Sequence, residues 1–175
     1  MIDFSADHFA LFGLPRNFRI DSSELDRRWR SLQADVHPDR HASGDDASRR
    51  MALQASSRVN EAYATLRDPA ARGEYLLQLL GIESLSETDT SMPADFLIEQ
   101  MERRESIEEA SESGDHAALE LALTEIDVER RALTAGLADF LDAHATADAK
   151  TSVRKLRFLD RVKSEINDSL IAIEA

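Results

Sequence analysis

Apolar side chains recur three and four residues apart along almost the whole chain, and this spacing constrains the fold more than any other feature. One register runs from Leu119 to Phe140, and another runs from Leu156 to Ile173. Such spacing gathers apolar residues on one face of a helix, whereas the alternation typical of strands is weak throughout. Together with a third pattern over 94–112, these registers predict a C-terminal antiparallel three-helix bundle in an all-α protein.

The first half of the chain carries shorter helical patterns with clear punctuation. The first pattern begins near Ser5 or Ala6 and ends at Gly13. Asp21 and Glu24 have the spacing of a capping box, which predicts the start of a second helix. The apolar stripe of this second helix is Leu25, Trp29, Leu32 and Val36. A third helical pattern has one apolar face, formed by Ala55, Val59, Ala62, Tyr63 and Leu66. A further helical extension after Asp68-Pro69 carries the apolar residues Tyr75, Leu76, Leu79 and Leu80.

Composition divides the chain at about residue 80. Residues 1–80 hold 11 arginines and 12 acids, a net charge of −1, while residues 81–175 hold 10 bases and 22 acids, a net charge of −12. The polar stretch 81–93 separates the two halves and ends at Pro93, which suits the first turn of a helix. We therefore predict domains at 1–80 and 94–175, joined by a linker at 81–93.

Composition also excludes several classes of function. The chain has no cysteine, which excludes disulfides and thiolate metal sites. A net charge of −13 argues against nucleic-acid binding, which needs a basic surface. No apolar run approaches the ~20 residues that span a bilayer, and the acidic N-terminus does not resemble a signal peptide. We expect a cytoplasmic protein with no membrane contact.

The tripeptide His37-Pro38-Asp39 follows the second helical pattern. Pro38 ends that helix, because it removes a backbone donor and biases His37 away from helical dihedrals. Considered by itself, the tripeptide is compatible with a simple turn in which Asp39 accepts local backbone hydrogen bonds. A metal site that uses the carboxylates of Asp39 and Asp45 with His37 and His41 is a weaker alternative, since Pro38 breaks the helix that would align the two histidines.

Longer phrases give the tripeptide its context. They are Asp7-His8-Phe9-Ala10-Leu11-Phe12-Gly13-Leu14-Pro15, His37-Pro38-Asp39-Arg40, Asn60-Glu61-Ala62-Tyr63-Ala64-Thr65-Leu66, Arg72-Gly73-Glu74-Tyr75-Leu76-Leu77, Phe96-Leu97-Ile98-Glu99-Gln100-Met101-Glu102 and Val153-Arg154-Lys155-Leu156-Arg157-Phe158-Leu159-Asp160. Together they resemble the J-domain family, and within it the HscB co-chaperones of iron–sulfur cluster assembly. Departures are His8 where relatives often have Tyr, Val36 where Tyr often precedes the tripeptide, and Arg40 where Lys often follows it.

The resemblance implies an L-shaped protein whose N-terminal J-domain, a helical hairpin with the His-Pro-Asp loop, stimulates the ATPase of a DnaK-type chaperone, HscA. It places chaperone contacts on that loop and on a basic second-helix face. Electrostatic attraction of such a face to an acidic partner raises the association rate. The implied chaperone-binding residues are His37, Pro38, Asp39, Arg27, Arg28, Arg30 and Arg40.

The pattern over 94–112 has apolar residues on two sides. Phe96 and Ile107 share one side, while Leu97, Ile98 and Met101 share a nearly opposite side. The second side predicts either burial against the linker or first domain, or an exposed surface that binds a partner. The resemblance favours the partner surface and implies contacts with the scaffold protein IscU through Leu97, Ile98, Met101, Glu102, Glu105, Arg157 and Phe158.

Motifs for catalysis are missing from the sequence. The histidines are scattered, no serine has a nucleophile-elbow pattern, and no glycine-rich phosphate loop occurs. We therefore expect no enzyme activity, no catalytic residues, no metal and no cofactor. We also expect a monomer, and the resemblance implies that it delivers IscU to HscA. The alternatives are a general J-protein adaptor for another client and, less favoured, a metal-dependent enzyme that uses His37 and Asp39.

Overall fold

The computed structural model describes residues 3–36, 45–82 and 91–174, and within these ranges it contains helices and no strands. The chain divides into two compact units, Met1–Leu79 and Leu80–Ala175. Among the described residues, no helix has the length and apolar character that crossing a membrane would require. The helices are α1 His8–Leu11, α2 Ser22–Val36, α3 Asp46–Arg67, α4 Pro69–Leu79, α5 Ala94–Ser113, α6 His116–Asp142 and α7 Thr146–Glu174.

In the first unit, α2 and α3 form an antiparallel hairpin, and α1 and α4 pack against α3. The indole of Trp29 stacks on the ring of Tyr63 with centroids 4.6 Å apart, and its Nε1 donates to Asn60 Oδ1 at 3.1 Å. Asp26 Oδ1 accepts from Tyr63 Oη at 2.8 Å, and this hydrogen bond, followed by that from Arg67, lowers the pKa of Asp26. The core between these helices is Phe9, Phe12, Leu25, Val36, Ala55, Val59, Ala62 and Leu66.

Aspartates begin the helices of this unit. Asp7 Oδ1 accepts from Ala10 N at 2.8 Å, so α1 begins at His8, later than the predicted Ser5 or Ala6. Asp21 accepts from Ser23 N at 2.8 Å and from Glu24 N at 3.2 Å, which confirms the predicted cap of α2. Asp45 does the same for α3 through Ser48 N at 2.8 Å. These bonds satisfy backbone donors that a helix start leaves unpaired.

The apolar residues of α4 differ in burial, since Tyr75 and Leu76 pack against the core of the first unit and others do not. Leu77 is fully buried, whereas Leu79 and Leu80 are 37% and 56% exposed. Arg72 is also buried, because its guanidinium lies over the Phe18 ring and donates to Leu66 O at 2.6 Å. The helix restarts at Pro69, which turns its faces relative to the register of α3, so the spacing within α4 alone did not identify the buried side.

The second unit is the predicted three-helix bundle. The α6 helix runs antiparallel to its two neighbours, with ion pairs at Arg103–Glu129 (2.8 Å) and Lys163–Asp127 (2.6 Å). Gly114 joins α5 to α6 at a φ of 69°, a left-handed conformation that glycine adopts at little cost. The buried core residues are Phe96, Ala110, Leu119, Ile126, Leu159, Val162 and Ile166.

Candidate partner-binding surfaces

The predicted loop site falls between α2 and α3. His37, Pro38, Asp39, Arg40 and His41 lie outside the described residues. The helices before and after them are fixed to the core: Val36 at the end of α2 is buried, and so is Ala52 in the early part of α3. The undescribed residues 37–44 therefore lie in sequence between two helices that the hydrophobic core holds in place.

The arginines of α2 do not form a uniform basic face. Arg27 is exposed and pairs with Glu24, and Arg30 is also exposed. The hydrogen bond from Arg28 to Glu24, with the further bond from Arg27, lowers the pKa of the Glu24 carboxyl. Glu24 therefore stays ionised at neutral pH and offsets part of the positive charge on this face.

Arg28 is less available to a partner than the basic face implied by the resemblance would require. Its Nη1 donates to the carbonyl oxygens of Phe12 and Gly13, the latter at 2.7 Å, while its Nε donates to Glu24. Gly13 has a φ of 61°, and a Cβ there would lie 2.7 Å from Arg28 Nη1. Arg28 thus attaches the end of α1 to α2, which is a role in positioning that sequence spacing did not reveal.

The two sides of α5 differ as the sequence predicted. Phe96 and Ala110 are buried on one side, whereas Leu97, Ile98 and Met101 are 41%, 60% and 68% exposed on the other. Glu102 and Glu105 are exposed beside them. The structure therefore brings five of the predicted scaffold-binding residues onto one solvent-facing side of α5, an apolar surface with an acidic rim.

Phe158 and Arg157 on α7 are less available than the prediction required. The Phe158 ring packs edge-on against Phe96 with centroids 5.6 Å apart, and it lies against the core of the bundle. Arg157 is half-buried, and its Nε is enclosed. Phe158 is thus a residue at the boundary of the core, because the 100° that separates it from Leu159 turns it toward α5 and not directly into solvent.

Within the ranges that the structure describes, no group of three or more histidine and carboxylate side chains could hold a metal ion. Asp45, the described member of the predicted metal alternative, caps α3. The remaining members of that alternative, His37, Asp39 and His41, lie in the undescribed segment.

Several buried polar residues were not anticipated, and two of them lie in α5 and α1. Gln100 is 1% exposed in the middle of α5, where its Oε1 accepts from Arg103 Nη1 at 2.8 Å. His8 is 5% exposed in α1, with its ring edge-on to Tyr75 at 4.2 Å. Burial, followed by the charge of Arg58, lowers the pKa of His8. Periodicity places both residues on buried faces, but it does not say that a polar residue there stays buried.

Comparison with known proteins matches both units. A family model described as "DnaJ domain" matches residues 7–75, and one described as "HSCB C-terminal oligomerisation domain" matches residues 92–167. A co-chaperone protein HscB homolog from Azoarcus sp. (strain BH72) is 44% identical over 99% of this chain and 98% of the relative. Another, from Paraburkholderia phymatum, is 45% identical over 97% of each chain.

Two solved structures are similar to this chain over most of its length. The chaperone HscB from Vibrio cholerae has a TM-score of 0.81 at 36% identity, over 93% of this chain and 96% of that one. The human co-chaperone protein HscB has a TM-score of 0.88 at 32% identity, over 97% of this chain and 85% of that one. The two family models, the relatives and the two-unit helical fold lead to one conclusion: the chain belongs to the HscB family of J-domain co-chaperones, which assist Hsp70-type chaperones in iron–sulfur cluster assembly.

Proposed function

We propose that the chain stimulates the ATPase of the specialised DnaK-type chaperone HscA and delivers the scaffold protein IscU to it. One observation carries the proposal. The same chain joins a unit that matches the DnaJ model to a bundle whose α5 exposes Leu97, Ile98 and Met101 beside two glutamates. The first unit supplies a trigger common to J-domains, and the second selects the client.

The trigger is the loop His37-Pro38-Asp39 together with the charged face of α2. Pro38 restricts the loop, His37 offers ring nitrogens, and the Asp39 carboxylate can pair with a cation on the chaperone. Arg27 and Arg30 are exposed and available for an acidic surface. In our proposal they and Arg40 contact the chaperone, while Arg28 contributes by holding α1 against α2.

The client surface is the exposed side of α5. Leu97, Ile98 and Met101 supply apolar contact, and Met101 can adapt its flexible side chain to the client. Glu102 and Glu105 form a polar rim that favours a basic or donor-rich partner. Arg157 and Phe158 support this surface from α7, with Phe158 acting mainly through its contact with Phe96.

The chain itself carries out no chemistry in this account. Hydrolysis belongs to HscA, and the iron–sulfur cluster is cargo of the scaffold. The chain acts as a cytoplasmic monomer that raises the effective concentration of client beside an activated chaperone, since one chain holds both.

Two variants test the two surfaces separately. Asp39→Asn keeps the side-chain shape and removes the charge, so the steady-state ATPase of HscA should lose most of its stimulation while IscU affinity stays unchanged. Leu97→Ala/Met101→Ala should weaken IscU binding about tenfold or more in a calorimetric titration, because truncation of buried apolar anchors costs about 1–2 kcal/mol each.

A matched control accompanies the second variant. Val128 and Ile171 are also exposed apolar residues of the bundle, at 54% and 66%, and lie outside the proposed surface. Val128→Ala/Ile171→Ala should bind IscU as the unmodified chain does. Equal losses in the two double variants would reject the assignment of the surface, and full stimulation by Asp39→Asn would reject the trigger.

A further inference from the structure

A groove runs between α5 and α6 on the opposite flank of α5 from Leu97 and Met101. It has a volume of about 340 Å³ and is open to solvent. Its lining from α5 is Glu99, Glu102, Arg103, Ser106 and Ile107, and its lining from α6 is Ala118, Leu121, Ala122 and Glu125. At about 100° per residue, Glu99 and Ser106 project some 160° away from Leu97 and Met101. The groove therefore opens away from the apolar part of the client surface, and Glu102 is the residue that borders both.

The groove exists because its walls carry small side chains. Ala118 and Ala122 stand one turn apart on the side of α6 that faces α5, and neither can fill the space between the helices. Leu121 stays 59% exposed at the edge, and Val128, two turns further along the same face, is 54% exposed. This apolar floor with an exposed leucine at its edge has the form of a groove that accepts a helix or extended segment.

The charge of the groove selects its occupant. Glu99, Glu102 and Glu125 stand along it, and the one lining cation, Arg103, pairs with Glu129 at 2.8 Å and with Glu99 at 3.5 Å. The half of the chain that contains the groove, residues 81–175, has a net charge of −12, from 10 bases and 22 acids. An acidic segment would meet uncompensated repulsion here, whereas a basic one would gain attraction.

We propose that this groove binds a basic amphipathic segment of a partner protein, with an apolar side chain over Ala118 and Ala122 and lysines or arginines toward Glu99, Glu102 and Glu125. The segment is distinct from the client on the Leu97 and Met101 flank. The chain therefore has a second docking surface on the same helix, which adjoins the client surface at Glu102.

The test uses the full chain and a synthetic probe. The probe is a fluorescent helical peptide of about 16 residues with leucines along one stripe and lysines elsewhere. Fluorescence anisotropy should show binding that weakens as salt rises. A peptide with glutamate in place of every lysine should not bind, and one with alanine in place of every leucine should bind more weakly.

Variants locate the binding. Glu99→Gln/Glu102→Gln/Glu125→Gln should lower the affinity for the peptide about fivefold or more, since three exposed ion pairs with the peptide are lost. Leu121→Ser should weaken it by a similar factor through lost apolar contact. Glu108→Gln/Glu112→Gln/Asp168→Asn removes the same charge from exposed positions outside the groove, and this control should bind nearly as the unmodified chain does.

Several outcomes would overturn the proposal. Equal weakening by the control would mean that only overall charge matters. Loss of peptide binding in Leu97→Ala/Met101→Ala would place the peptide on the client surface. Sedimentation that shows a dimer dissociated by Leu121→Ser would assign the groove to a second copy of the chain.

Discussion

Arg28 shows how one residue of a basic face differs from its neighbours. Its guanidinium serves two backbone carbonyls of the α1 end and a carboxylate of α2, while Arg27 and Arg30 extend into solvent. A lysine could not make the same set of contacts, because it offers a point charge in place of a planar fork of donors.

We predict that Arg28→Ala destabilises the first unit by about 1–2 kcal/mol, since hydrogen bonds from a charged donor to carbonyls are lost. Arg30→Ala, an exposed change, should stay within about 0.5 kcal/mol of the unmodified chain. The single tryptophan, Trp29, lies in this unit, so urea unfolding followed by its fluorescence reports on the unit alone. Equal stability of the two variants would refute the positioning role of Arg28.

His8 gives the first unit a dependence on pH. Burial, with a smaller effect of Arg58, lowers the pKa of His8 in the folded chain, and Nδ1 has no partner among the described residues. Unfolded histidine titrates near pH 6.5. The unfolded chain therefore takes up a proton that the folded chain resists, and stability is full above about pH 6.5 and falls as the pH decreases below it.

We predict that His8→Phe reduces this loss, since phenylalanine keeps a ring against Tyr75 and does not titrate. Urea unfolding of both proteins at pH 8 and at pH 5.5, read by Trp29 fluorescence, gives the comparison. The variant should lose less stability than the unmodified chain between the two pH values. Identical losses would show that His8 does not contribute.

At the scale of the element, α5 carries two sides with different roles. Phe96 and Phe158 pack against each other on the buried side, while Leu97 and Met101 are exposed on the other side. A single helix can combine both roles because successive residues are turned by about 100°.

We predict that Phe158→Ala destabilises the bundle by about 2–3 kcal/mol, somewhat less than a fully buried phenylalanine would cost. Leu97→Ala/Met101→Ala should change the stability by less than about 0.5 kcal/mol. Hydrogen–deuterium exchange resolved along α5 to α7 checks both. Equal protection of the two variants from exchange would place Phe158 outside the core. Because Phe158→Ala is expected to destabilise the bundle, variants that test the client surface should retain Phe158.

Most helices could be predicted from the sequence, but features that depend on which helices pack against each other could not. The cap at Asp21 is local chemistry, and the registers of α6 and α7 repeat often enough to identify a face. The buried side of α4 and the enclosed Gln100 depend on which helix lies opposite, which spacing within one helix does not contain. The groove between α5 and α6 likewise needs two helices to be placed before small alanines become an opening.

The same limit applies to the candidate surfaces. The exposed side of α5 could be predicted, because the helix has two apolar sides and the bundle can bury only one of them. The ties of Arg28 to Phe12 and Gly13 do not follow from spacing, because they join residues 15 and 16 positions apart through a turn with positive φ at Gly13.

In the proposed function, one molecule carries both the trigger and the client surface. The proposed trigger and the proposed client surface belong to separate compact units. In the proposed mechanism, their covalent connection makes capture of the client and activation of the chaperone parts of one encounter. Two separate chains, each with one working arm, lack this advantage at equal concentration.

The most direct test mixes two full-length variants. Asp39→Asn retains the client surface and lacks the trigger, while Leu97→Ala/Met101→Ala retains the trigger and lacks the client surface. We measure the steady-state ATPase of HscA with limiting IscU and submicromolar amounts of each protein. The account predicts that the mixture gives no more stimulation than the sum of the two variants alone, well below the unmodified chain; stimulation by the mixture equal to that of the unmodified chain would contradict it.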